Sequence, residues 1–136
     1  MIILLDTDVL IDVALDRAPH AAAAAQLLDR LQQRPGSGFV AWHTVANFYY
    51  LVRPTRGGGD ARAFIAELIR FVEVSPTTTD SLRRAARLEM KDFEDAMQVA
   101  AAEACGAEVI ATRNVRDYVK APVRVATPKT LLAEIV

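Results

Sequence analysis

Asp6, Thr7 and Asp8 follow directly on the apolar run Ile2–Leu5, and a second acidic knot, Asp92, Glu94 and Asp95, stands far along the chain. Thr112, Arg113, Asn114 and Asp117 follow another short apolar run, Val109–Ala111. Carboxylates, amides and hydroxyls in such places sit where buried strands end. If the acids meet at one point they repel: two unit charges about 4 Å apart cost about 4 kcal/mol at an effective dielectric of 20. A proton or a divalent cation must resolve that. Oxygen ligands with no His or Cys among them suit Mg²⁺ or Mn²⁺ and not zinc. Such a cation activates water and stabilises charge developing on a phosphodiester, so these residue types fit metal-assisted hydrolysis at phosphorus.

Each acid also has a plainer role. An Asp after a strand commonly caps a helix, which would serve Asp8 or Asp92 equally well. Asp12, Asp16, Asp29 and Asp80 read as solvated helix charges or caps, and Glu94 as a residue facing solvent. Asp6 resists that reading, because it adjoins an apolar run and Thr7 or Asp8 can take the capping position. Asp95 has Met97, Val99 and several alanines as helix neighbours, which also argues against simple exposure. His20 and His43 read as surface or cap residues, Trp42, Tyr49 and Tyr50 as core or dimer-interface residues, and Cys105 as a small buried hydrophobe.

The elements that must position these groups follow from periodicity and punctuation. Ile2–Leu5 is a strand, and Leu10, Val13 and Ala14 recur at helical spacing after it. Pro19 opens a helix that takes in Ala21–Leu31 and ends near Pro35 and Gly36. Gly38–Ala41 is a second strand. In the helix from His43 to Val52, the residues Val45, Phe48, Tyr49 and Val52 share one face, and Pro54 is expected to stop it. Gly57, Gly58 and Gly59 form a turn, Asp60 an N-cap for a helix through Arg70, and Val72–Val74 a third strand. Asp80–Met90 reads as helix, and Asp92 caps another that runs to Cys105, with Gly106 in the left-handed position that ends it. Val109–Ala111 and Val123–Ala126 are strands, and Pro128 opens a last helix through Glu134. Strands separated by helices without tight hairpin signals indicate an α/β fold with a mostly parallel sheet. Ligands of such sheets bind at the carboxyl ends of the strands, where the acids of the first paragraph fall.

The chain has 136 residues, with 16 Lys and Arg against 17 Asp and Glu for a formal charge of -1. That length suffices for a core without disulfides, and residues 1–136 read as one domain. The single cysteine excludes an intramolecular disulfide and a cysteine zinc cluster, and it suits a reducing cytoplasm. No apolar run approaches the roughly 20 residues that span a bilayer, and the start at Met1 lacks a basic signal-peptide region, so no membrane role is expected. A near-neutral total is awkward for a nucleic-acid binder unless charge is segregated in space.

Four stretches, taken together, resemble the PIN domain: Leu4–Asp12 (LLDTDVLID), Thr44–Leu51 (TVANFYYL), Asp92–Gln98 (DFEDAMQ) and Ala111–Asn114 (ATRN), with Thr127 and Pro128 before the last helix. Order and spacing agree over essentially the whole chain. The resemblance implies a three-layer α/β/α sandwich around a five-stranded sheet, with an acidic pocket that binds Mg²⁺ or Mn²⁺ and cleaves RNA. It implies hydrolysis by in-line attack of an activated water, leaving a 3′-hydroxyl and a 5′-phosphate. Many small bacterial members are toxins of VapBC-type toxin–antitoxin pairs, so a homodimer and a small antitoxin partner are also implied. By position, Asp6, Asp95 and Asp8 are the metal-binding acids, with Asp8 restoring a negative charge to the pocket. Asn114, or Asp117 beside it, takes the place of a further acid or amide, and Thr112 that of the hydroxyl that orients a carboxylate or water. Arg113, Arg116, Arg53 and Lys91 are the candidates for holding the RNA backbone.

The main departure is Asn47, where most active relatives carry Glu. An amide coordinates through its carbonyl oxygen but brings no charge and cannot serve as a base. Two other readings follow. One is a catalytically weak PIN module that works by binding RNA or protein. The other is a haloacid-dehalogenase-like phosphatase, suggested by Asp6-Thr7-Asp8 after a strand but weakened by Leu10 where that family has Thr or Val.

Overall fold

The computed structural model describes residues 1–135. Five strands, β1 (Ile3–Leu5), β2 (Gly38–Val40), β3 (Val72–Val74), β4 (Val109–Ala111) and β5 (Arg124–Ala126), form one sheet in the order β3-β2-β1-β4-β5. Every pairing is parallel, so the expected mostly parallel sheet is wholly so. The helices are α1 (Thr7–Ala14), α2 (Ala21–Gln32), α3 (Trp42–Arg56), α4 (Gly58–Leu68), α5 (Thr79–Arg87), α6 (Phe93–Cys105) and α7 (Pro128–Glu134), with a 3-10 turn at Val115–Tyr118.

The strand pleat explains the three layers. Ile3 and Leu5 point to one face of the sheet and join Val9, Leu27, Leu31, Phe48, Val52, Leu68 and Leu131 from α1, α2, α3, α4 and α7. Leu4 points to the other face, where it meets Ile110 together with Val99, Ala101 and Ala102 of α6. Successive side chains of a strand alternate faces, so apolar residues at all three β1 positions require cover on both sides. Helix α5 packs on α6 through Ala85, Ala96 and Ala100.

Most expected boundaries hold to within two residues. The exceptions have local causes. Helix α3 passes through Pro54 and ends at Gly57, whose φ of 85° and N–H bond to the Arg53 carbonyl close it. Pro54 lies in the last turn, where it removes only its own bond to the carbonyl of Tyr50, an exposed residue. Asp60 is not an N-cap: α4 starts at Gly58, with Gly57 as its cap and Asp60 in the first turn. Helix α5 starts after Thr78, whose hydroxyl and that of Ser81 form a reciprocal cap, and it stops at Arg87, short of Met90. Helix α6 is as expected: Asp92 accepts from the Asp95 N–H at 3.0 Å, and Gly106, with φ 70°, ends it.

The strand order places a switch point between β1 and β4. From β1 the chain continues into α1 and out to β2 and β3, and then it returns to β4 on the other side of β1. Loops leaving neighbouring strands in opposite senses open a crevice at the carboxyl edge of the sheet.

Candidate active site

Asp6 is the first residue after β1 and lies at the bottom of this crevice, 6% exposed. It is itself the N-cap of α1, with Thr7 and Asp8 inside the helix, so the expected division of labour is reversed. Its Oδ1 accepts from the Thr7 N–H at 2.7 Å and from Gln98 Nε2 at 3.1 Å, and its Oδ2 accepts from the Tyr118 hydroxyl at 3.0 Å. Burial, then the charge of Asp8, pushes the Asp6 carboxyl up to about 6 despite hydrogen bonding from Thr112 and Thr7.

Helix α6 brings the second acidic knot to the same place, because its N-terminus lies at the carboxyl edge. Asp95 is half-buried there. Burial, with the charges of Asp92, Asp6 and Glu94, raises its carboxyl to about 7. Glu94 was expected to face solvent. It turns inward instead, with Oε1 3.2 Å from His43 Nε2 and accepting at 3.4 Å from both Asn47 Nδ2 and Gln98 Nε2. Burial opposes its charge, but His43, Asp95 and Gln98 outweigh that and hold Glu94 below the ordinary glutamate range. A first-turn side chain points wherever tertiary partners draw it, and the partners here come from α3. His43 is accordingly a site residue and not a cap. Asp92, Glu94 and Asp95 offer carboxylate oxygens within 4.8 Å of one another.

The remaining expected residues divide into three groups. Asp8, Thr112 and Asn114 are bonded to one another: Asp8 Oδ2 accepts from Asn114 Nδ2 at 2.8 Å and Thr112 Oγ1 at 3.2 Å, and Asp8 also faces the Arg113 N–H. Thr112 in turn accepts from the Asn114 N–H at 3.0 Å. This knot ties α1 to the loop after β4. Burial raises the Asp8 carboxyl, and the Arg113 N–H and Thr112 hydroxyl moderate the rise.

Arg113, expected on the RNA backbone, is engaged elsewhere. Its Nε and Nη2 donate to Asp12 at 3.0 and 3.2 Å. Asp12 was read as a solvated charge but is 1% exposed. A buried carboxylate requires such a partner, and a guanidinium fork matches it in both geometry and charge. Arg53 lies over the rings of Tyr50 and Tyr49, 5.5 and 6.0 Å from their centres.

Arg116, Asp117 and Lys91 line an open cleft of about 420 Å³ together with Asp92, Asp95 and Lys120. The structure thus joins Arg116 and Lys91 to Asp95 and leaves Arg53 and Arg113 with other partners. Asn47 meets the site through Glu94. Trp42 and Tyr50 are not core residues but 74% and 64% exposed, and Cys105 is only partly buried.

Sequence reasoning missed Gln98, Thr44 and Tyr118. Gln98 and Thr44 are fully buried and joined by a 2.8 Å bond from Gln98 Nε2 to Thr44 Oγ1. A signal for Gln98 exists, as the one amide in the apolar stretch Ala96–Ala102, one turn after Asp95. Tyr118 has none: it stands in a loop without periodicity. Burial and the charges of Asp6 and Asp95 raise its hydroxyl well above the ordinary tyrosine value, so it stays protonated as a donor to Asp6.

A wholly parallel α/β/α sandwich with carboxylates converging at its switch point defines the class of fold and site. A sequence-family model for the PIN domain matches residues 2–116. The chain belongs to the PIN domain family. Solved structures agree on the fold. VapBC2 from Rickettsia felis, bound to a DNA fragment from its promoter, aligns with a TM-score of 0.72 at 14% identity, over 93% of this chain and 98% of that one. Mycobacterium tuberculosis VapC20, described as a Sarcin-Ricin loop cleaving toxin, aligns at 0.64 and 20% identity, over 79% and 86%. FitAcB from Neisseria gonorrhoeae aligns at 0.65 and 19%, over 94% and 99%. A sequence comparison with curated proteins finds no match. Among the described residues no helix is long and apolar enough to cross a membrane.

Proposed function

We propose that this chain is an Mg²⁺- or Mn²⁺-dependent endoribonuclease and the toxin half of a toxin–antitoxin pair. The observation that carries the reading is the convergence of Asp6, from the end of β1, and Asp95, from the start of α6. Both carboxyls are raised, Asp95 in part by the charge of Asp6. Apposed carboxylates that resist ionisation together are relieved by a cation, and the set contains only hard oxygen donors. Asp6 and Asp95 are thus suited to hold the ion. Bound there, it would supply Lewis-acid stabilisation of phosphoryl charge and lower the pKa of water.

The chain's own residues supply the rest. Gln98 and Tyr118 fix the Asp6 carboxylate from two sides, so its orientation is set before any ligand arrives. Lys91, Arg116 and Lys120, in the cleft beside Asp95, are placed to hold a phosphate backbone. Asp117 lines the same cleft, within reach of a substrate or its water. Asp8, Thr112 and Asn114 act through the β4 loop, which they hold against α1. Trp42, Tyr50 and Leu51, exposed on α3, are the surface we assign to a homodimer. The antitoxin partner is supported by similarity to toxin–antitoxin complexes. Membership of the PIN family leaves no basis for the phosphatase reading.

An RNase assay with and without chelator tests the proposal. Cleavage is expected only with Mg²⁺ or Mn²⁺, and Asp95→Asn should lower it by roughly 100-fold or more, the scale of removing one charge-stabilising group. Cleavage that persists in chelator or in Asp95→Asn refutes the assignment. Metal binding without cleavage of any RNA would favour the binding-module reading.

A further inference from the structure

Acids in the first turn of a helix are ordinarily explained by the macrodipole, which stabilises negative charge at the N-terminus. That account covers Asp92, which caps α6, and it would cover Glu94 if its side chain pointed to water. It does not explain why Glu94 is drawn across to α3. Three nitrogens surround its Oε1, from His43 at 3.2 Å and from Asn47 and Gln98 at 3.4 Å. All three distances are at the long end for a hydrogen bond to a carboxylate, which is usually under 3 Å when charge-assisted. The carboxylate is oriented by its neighbours without being saturated by them.

A second, independent observation lies beside it. Gln98 is fully buried, and its Oε1 has no hydrogen-bond partner among the described residues. The carboxamide cannot simply be turned over. Its Nε2 faces Asp6 Oδ1 at 3.1 Å, Glu94 Oε1 at 3.4 Å and Thr44 Oγ1 at 2.8 Å, so reversal would press an oxygen against two carboxylates. A buried acceptor with no partner is uncommon and destabilising unless something satisfies it. His43 Nε2 is likewise buried without a well-aligned hydrogen bond. Two incompletely satisfied polar groups thus border the Glu94 carboxylate.

We propose that Glu94, presented by His43, Asn47 and Gln98, is a direct ligand of the divalent cation held by Asp6 and Asp95. This inference rests on the metal-dependent reading above and adds the third carboxylate to it. In this arrangement Asn47 is a positioning residue: it brings no charge of its own and directs a charge borne by α6. Gln98 is the link that lets Asp6 and Glu94 be oriented by one side chain.

Isothermal calorimetry with Mn²⁺ alone, on wild type, Glu94→Gln, Asp95→Asn and the double variant Asn47→Glu/Glu94→Gln, tests the assignment. Affinity for hard cations follows ligand charge count, so Glu94→Gln should weaken Mn²⁺ binding by about tenfold or more. The double variant should recover most of that loss, because a carboxylate at position 47 starts within hydrogen-bond distance of the Glu94 oxygen. Glu94→Gln gives up the pairing with His43 but relieves the charge pressed on Asp6 and Asp95, so its metal-free thermal unfolding should stay close to wild type. Unchanged Mn²⁺ affinity in Glu94→Gln, or a double variant no better than the single, overturns this inference. If Asp95→Asn still loses binding in that case, the metal-dependent reading stands without Glu94. Absence of Mn²⁺ binding to wild type removes both.

Discussion

Asp6 couples the proposed chemistry to stability, and the coupling has a sign that can be checked. In the metal-free protein its carboxyl is raised to about 6, first by burial and then by the charge of Asp8. In the unfolded chain it returns to the ordinary aspartate value, so between about pH 4 and pH 6 the folded state binds a proton that the unfolded state has released. Where the folded state binds more protons, stability falls as pH rises. A carboxyl moved from near 3.8 to about 6 corresponds to about 3 kcal/mol. That is a large part of the roughly 5–15 kcal/mol of a typical domain.

The perturbation that isolates this contribution is Asp6→Asn, which keeps the shape and removes the titration. Its Oδ1 can still accept from Thr7 and Gln98, and its amide can donate to the Tyr118 oxygen. In chelator, urea unfolding should show the variant gaining on wild type by up to about 3 kcal/mol between pH 4 and pH 7, and levelling off above that. Removing the charge of Asp6 also relieves Asp95, which adds in the same direction. Saturating Mn²⁺ above pH 7 should stabilise wild type alone and narrow or reverse the difference. A gap that stays constant with pH, or closes as pH rises, refutes the placement of Asp6 as a strained buried carboxylate.

Arg113→Met should destabilise the fold by about 3 kcal/mol, because it leaves Asp12 buried without its charge partner. Adding Asp12→Leu should restore much of the loss, and urea midpoints of the single and double variants measure both. Tyr118→Phe removes one donor from the Asp6 carboxylate and should cost about 1–2 kcal/mol at pH 8 but less at pH 5, where Asp6 is protonated. An equal cost at both pH values would show that the hydroxyl does not serve the charged form.

What the sequence makes legible here is what neighbouring residues decide. Helix α6 is bounded by Asp92 and Gly106, and each acts through bonds to residues within a turn of it. The burial of Asp6 follows from the run before it. The stop at Pro54 was misread because one missing N–H in a last turn is a small loss beside the burial of Phe48 and Val52 on the same helix. Glu94 and Asp12 were misread for a different reason. Both have the spacing of solvated helix charges, and only groups from distant segments turn them inward: His43 and Asn47 for Glu94, Arg113 for Asp12. Gln98 and Tyr118 matter solely because the parallel crossovers bring them onto Asp6.

The balance of charge also takes a different form in three dimensions. A near-neutral total suits a nucleic-acid binder only where acids and bases are segregated in space. The cleft beside Asp95 instead holds both, with Glu89, Asp92, Asp95 and Asp117 facing Lys91, Arg116 and Lys120. Four acids against three cations leave a slight negative excess, which the raised carboxyl of Asp95 reduces further near neutral pH. Such a cleft neither attracts nor strongly repels a phosphate backbone. A bound divalent cation changes its sign, and burial of Asp6 keeps the added charge where solvent screens it least. On the proposed function, the carboxylates hold the metal and the metal favours the phosphate backbone beside Lys91, Arg116 and Lys120, so a cleft that is nearly neutral alone becomes an anion site once the ion is in place.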